Sequence, residues 1–243
     1  VKHHLQGWQT KIDRDFSRKS YQKELANLRG DPVYSKFALD CPEYVLVRLM
    51  GRISISVGRR LGEIYDKLPR FVASARFGVK PEQVAEKFSG LELDIGLRYS
   101  ALAEPDVSHV KGVVAAFGED AASREGVGIE IRYNFNPNDS ARLRKDVDMA
   151  GYLQDANLLP VYLIYSSISP RDDAISRLTR AGWLFLQGVE AADFTTRLFA
   201  VDFLGLMEQP DIRREIHEEV RRILGSIYTS DAFKDALRQL GPL

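Results

Sequence analysis

The chain has 243 residues, 44% of them hydrophobic and 28% charged, enough to bury a sizeable core and unlike a disordered or fibrous composition. Its 34 basic and 34 acidic side chains cancel, which argues against a non-specific polyanion coat but leaves room for one basic cleft. A lone Cys41 excludes an intramolecular disulfide and a cysteine-cluster zinc site, and the longest apolar runs fall short of the roughly 18 residues of a membrane span. Residues 1–6 lack the apolar core of a secretory signal, so the cytosol is the expected compartment and no membrane partner is expected.

In chain order, Asp40 and Pro42 open a helix that Gly51 could interrupt. From Ser56, the apolar residues Val57, Leu61, Ile64, Tyr65, Leu68 and Val72 recur at helical spacing, and Pro69 is expected to kink or end that helix. Lys80 to Phe88 reads as a short helix closed by Ser89 and Gly90. Three strands are then expected, over 91–101, 110–117 and 127–133. The Asn-rich stretch 134–140 reads as a turn and cap, followed by a helix with Leu143, Val147, Ala150 and Leu153 inward. Residues 160–165 form a continuously apolar strand, buried on both faces. Ser169 and Pro170 start another helix, 183–186 reads as a strand, and 211–227 carries an apolar stripe of Ile212, Ile216, Val220, Ile223, Leu224 and Ile227. The expectation is one α/β domain, mainly helical over 1–88 and 191–243, with its α/β core over 89–190.

Chemistry concentrates in the strands. Side chains two apart share a face, so Glu130 and Arg132 point to one side of their strand. By the same rule Glu92, Asp94 and Arg98 share a face of the neighbouring one. Carboxylates and a cation brought together by adjacent strands suit a hard divalent metal and a phosphate. The bland alternative is that these charges merely solvate exposed strands.

The order of helix, strand with an acid, strand, strand with Glu-x-Arg, helix and buried strand resembles the PD-(D/E)xK nuclease fold of many type II restriction endonucleases. The segments 93–96, 129–133, 136–140 and 159–164 are most similar to the ApaLI-like restriction endonucleases, and the resemblance covers about residues 56–190. It implies a restriction-endonuclease-like mixed central sheet flanked by helices, with helical extensions at both ends. It further implies that Asp94 and Glu130 hold Mg²⁺ together with the carbonyl of Ile131, and that the metal activates water and clamps the scissile phosphate. Arg132 stands where the family usually has Lys; a guanidinium keeps its proton, so its implied role is to stabilise charge on the phosphate. Glu92 and Asp106 are alternatives for the first acid, and Glu63 is a candidate further acid from the preceding helix.

For DNA, Asn134, Asn136 and Asn138 could read base edges or phosphates, and Arg142, Arg144 and Lys145 place basic side chains on the first turns of the following helix. The expected function is Mg²⁺-dependent, site-specific cleavage of double-stranded DNA by a homodimer, with helices 56–75 and 211–227 as interface candidates. Rival readings are a catalytically silent DNA-binding protein on the same fold and a structure-specific repair nuclease.

Overall fold

The computed structural model describes residues 10–119, 123–133, 140–167, 172–202, 205 and 208–240; the side chains of 56–66, 140, 239 and 240 lie outside that description. The chain divides into two compact units, one from residues 1–60 and 207–243, the other from Leu61 to Leu206.

The first unit is helical. It contains α1 (Arg18–Gly30), α2 (Pro32–Lys36) and the first part of α3 (Pro42–Phe77), joined by α9 (Pro210–Thr229) and α10 (Asp231–Leu240). Ser17 caps α1 through the Ser20 N–H, and Asp31 caps α2 through Val33 and Tyr34, so both helix starts are written locally. Val45, Leu46 and Leu49 pack with Ile12, Leu28, Ile223 and Ile227, which brings the two ends of the sequence into one core. The expected stripe of α9 is divided: Ile223 and Ile227 are buried, whereas Val220, Leu224 and Tyr228 are exposed.

The second unit is α/β. After the remainder of α3 come α4 (Pro81–Val84), β1 (Lys87–Phe88), β2 (Leu91–Glu92), β3 (Ile95–Arg98), α5 (Glu104–Ala116), β4 (Gly126–Arg132), α6 (Ser140–Asp155), β5 (Leu158–Ile164), α7 (Asp172–Arg180), β6 (Leu184–Gln187) and α8 (Val189–Phe199). The central sheet has the order β3-β4-β5-β6, with β3 antiparallel to β4 and the other pairs parallel. The fold is therefore a mixed four-stranded sheet flanked by helices. Val127, Ile129, Ile131, Val161 and Leu163 face a core built with Val110, Val114, Phe194 and Leu198. The opposite face packs Tyr162 and Ile164 against Leu143, Ala150 and Leu153 of α6 and Leu178 of α7. With the crossover helices α6 and α7 on one face and α5 and α8 on the other, β4 and β5 are covered on both faces, and every residue of each is buried.

Four expectations are corrected. Residues 110–117 are not a strand: Glu104–Ala116 is a helix with Pro105 in its first turn and Val107, Val110, Val113 and Val114 buried at spacings of three and four. The single strand over 91–101 is broken at Leu93 and Asp94, and residues 99–101 form a 3₁₀ turn. Neither Gly51 nor Pro69 stops α3, which runs for 36 residues; Pro69 removes one helical N–H, a loss the long helix absorbs. Only Pro81–Val84 of the 80–88 stretch is helical, because Lys87 and Phe88 pair with Glu92 and Leu91.

Gly126 opens β4 where a side chain has no room: a Cβ there would lie 2.3 Å from the Leu97 carbonyl oxygen and 2.9 Å from Arg98 Cα. These are backbone atoms of the paired strand and cannot rotate away. Gly126→Ala is therefore expected to lower unfolding stability by about 2–3 kcal/mol, measurable by urea denaturation.

Candidate active site at the end of the β3–β4 ladder

The site begins where two strands part. Ile95 pairs with Ile129, and beyond that rung the chain bends at Asp94 toward the β1–β2 hairpin. The Ile131 N–H, two residues past the last rung, is therefore met by a side chain: it donates to Asp94 Oδ2 at 2.8 Å. The Asp94 N–H in turn donates to Glu130 Oε2 at 3.4 Å. Both acids are buried, although neither residue type stays in a core without partners.

Those partners converge on one guanidinium. Arg132 Nη1 donates to Asp94 Oδ2 at 3.0 Å and to the Ile131 carbonyl at 2.7 Å. Its Nη2 donates to Glu130 Oε1 and, at 3.3 Å, to Asp146 Oδ1. Asp146, on α6, also accepts from the Tyr162 hydroxyl at 2.8 Å, and its carbonyl accepts from Trp183 Nε1 at 2.8 Å. Arg70, from α3, donates to Asp94 Oδ1 at 2.7 Å and to Glu92 Oε1 at 2.5 Å. Three buried carboxylates are thus faced by two guanidinium groups, and the cluster holds one more acid than base.

That imbalance shifts protonation. Burial first, then the charges of Asp94 and Asp146, outweigh Arg132 and push the Glu130 carboxyl from 4.5 up to about 8. Burial opposes the charge on Arg132, but Glu130, Tyr162, Asp94 and Asp146 together raise its pKa well above the usual value. Burial likewise holds the Tyr162 hydroxyl protonated, so it serves as a donor to Asp146.

Beside the cluster lies a cavity of about 440 Å³, lined by Leu91, Glu92, Glu130, Arg132, Ala141, Arg142, Lys145, Asp146 and Met149. Arg142, Lys145 and Met149 fall at i, i+3 and i+7 on α6, so one face of that helix forms a wall. The α6 wall is basic, facing an acidic floor.

The sequence candidates separate accordingly. Asp94, Glu130, Arg132 and the Ile131 carbonyl come together, and Glu92 joins them through Arg70. Arg98 does not: it is held by Glu86 at 2.6–3.2 Å. Asp106 lies in the first turn of α5, paired with Arg76 at 2.7 Å, so it is not the first acid of this cluster. Arg142 and Lys145 line the cavity, whereas Arg144 is exposed and does not. Asn134, Asn136 and Asn138 lie outside the described residues, as does the side chain of Glu63. Asp146 and Arg70 are the members that sequence reasoning missed. Asp146 carried a signal, since it sits at helical spacing between Leu143 and Ala150 on the inward stripe; Arg70 carried none.

Among the described residues, no group of three or more His, Cys, Asp or Glu is set to hold a metal ion. A cation at this site would rest on two carboxylates, a carbonyl and water. Such an oxygen-only set, already turned toward one positive group, fits a hard divalent ion such as Mg²⁺. No helix among the described residues is long and apolar enough to cross a membrane. No protein-family model, curated protein or solved structure matches the chain.

The Glu130 shift sets a pH dependence. The folded state retains a proton that the unfolded chain releases, so this group's contribution is neutral below about 4.5 and increasingly unfavourable as pH rises to about 8. In chelator, the melting temperature should fall across that window. Glu130→Gln should flatten this limb and melt above the wild type at pH 9; parallel pH profiles of the two proteins would exclude the shift.

Proposed function

We propose that the chain is a type II restriction endonuclease, a Mg²⁺-dependent enzyme that hydrolyses phosphodiester bonds of double-stranded DNA at a specific site. The observation that carries the reading is the convergence of Asp94, Glu130 and the Ile131 carbonyl on one cationic centre beside a cleft with a basic wall. Asp94, Glu130 and Ile131 would hold the ion, which supplies Lewis acidity and a nucleophile at neutral pH.

The remaining tasks fall to side chains. Arg70 and the Ile131 N–H fix both oxygens of Asp94. Tyr162 and Trp183 fix Asp146, which in turn orients Arg132 from the α6 side. Lys145 and Arg142, on the cleft wall, suit DNA phosphates, and the first turns of a helix add backbone N–H groups favourable to anions. Leu91 and Met149 give the cleft an apolar portion suited to sugar edges. Action as a homodimer on a two-fold symmetric site is part of this reading, and the exposed Val220, Leu224 and Tyr228, at i, i+4 and i+8 of α9, support it.

The test is incubation of the purified protein with long, sequence-rich DNA and Mg²⁺. Discrete fragments are expected, absent in EDTA and reduced at least about 1,000-fold in Glu130→Ala, with sedimentation at twice the chain mass. Structure-dependent nicking would move the assignment to a repair nuclease. Intact DNA with a metal-independent mobility shift would move it to a silent DNA-binding protein, and intact DNA without a shift would sink both.

Lys145→Ala separates phosphate contact from chemistry. It should weaken DNA binding in Ca²⁺ about equally across sequences and reduce the salt slope of log K by about one. An unchanged slope would remove Lys145 from the DNA-binding surface.

A further inference from the structure

We propose that Arg132 is the resident cation of the site, and that a divalent ion enters by displacing its guanidinium into the neighbouring cleft. The inference rests on the nuclease reading and goes beyond it, because it removes Arg132 from the phosphate in the metal-free protein.

All four terminal N–H groups of Arg132 are committed, to Asp94, Glu130, Asp146 and the Ile131 carbonyl. Three of these acceptors are the oxygens that a metal would need. Guanidinium and ion therefore compete for one set of lone pairs, and like charges a few ångströms apart cannot share it without loss. Charge permits the exchange: with all three buried acids ionised they exceed Arg70 by two charges, which one divalent ion in place of Arg132 balances.

Geometry permits the movement. Arg132 Nε is buried without an acceptor, so departure breaks no bond there, and Arg132 itself lines the cavity of about 440 Å³ into which it would swing. The ligands need not collapse when it leaves. Asp94 remains pinned by Arg70 and by the Ile131 N–H, and Glu130 still accepts from the Asp94 N–H. The displaced guanidinium would then lie beside Arg142 and Lys145, where a third positive charge favours phosphate. Metal and DNA binding should accordingly reinforce one another.

The experiment is titration with Mn²⁺ alone, followed by electron paramagnetic resonance of the unbound ion. Arg132→Met should bind Mn²⁺ about ten-fold or more tightly than the wild type. Equal or weaker binding by a folded variant would overturn displacement while leaving the metal site standing. If Arg132→Met does not fold, guanidinium ¹⁵N resonances of the wild type decide: Mg²⁺ should move the Arg132 signals to solvent-like exchange, whereas Arg132 signals that stay protected at saturating Mg²⁺ would overturn the proposal. Failure of every folded form to bind millimolar Mn²⁺ or Mg²⁺ would overturn both the displacement and the metal-dependent reading beneath it.

Discussion

A guanidinium buried among three carboxylates is the constraint on which the α/β unit depends. Removing any of these charges from water is unfavourable by several kcal/mol, and attraction in the interior offsets that only when the remaining donors and acceptors are also matched. Here the carboxylates and the terminal N–H groups of Arg132 are matched by different layers of the fold, with only its Nε left without an acceptor: Asp94 comes from the bend before β3, Glu130 and Arg132 from β4, Asp146 from α6, and Tyr162 from β5. An error in the register of β4, or a rotation of α6 by one residue, would strand a buried charge. The cluster thus fixes which way the sheet's α6 face is assembled, in addition to whatever chemistry it performs.

The parting of two strands explains why the acids meet at all. In a continuous antiparallel pair, Ile131 would bond to backbone, and Asp94 would lie within the ladder. Because the chain comes out of the β1–β2 hairpin and joins β4 only from Ile95 onward, a side-chain carboxylate closes the ladder, and a backbone carbonyl beside it is left to accept from Arg132. The open end lies where α6 begins, so its basic first turns become the wall of the cleft. One departure from regular pairing creates the buried acid cluster, and the crossover helix supplies the charge that faces it.

Much of this was legible, and the misreadings have physical causes. Strand periodicity alone places Glu130 and Arg132 together, since the alternation of β4 is strict. The inward stripe of α6 is equally legible in Leu143, Ala150 and Leu153; Asp146, within the same stripe, is easily passed over because a carboxylate is judged by type before position. The valines of α5 misled in the opposite direction. Their β-branching favours a strand, whereas their 3–4 spacing and Pro105 specify the helix that forms. Arg70 was beyond reach, since its partners lie 22 and 24 residues away and no local pattern couples them.

Arginine rather than lysine at position 132 follows from the acceptors themselves. An ammonium presents its donors from one nitrogen, whereas the planar fork spreads four terminal N–H groups over acceptors from three elements. Lysine could not span Asp146 on one side and Asp94 on the other. Arginine at this position therefore supplies a side chain that neutralises a nest rather than one that exchanges a proton. Under the nuclease reading, this moves the phosphate-facing positive charge of the metal-free protein to α6, where Lys145 and Arg142 line the cleft.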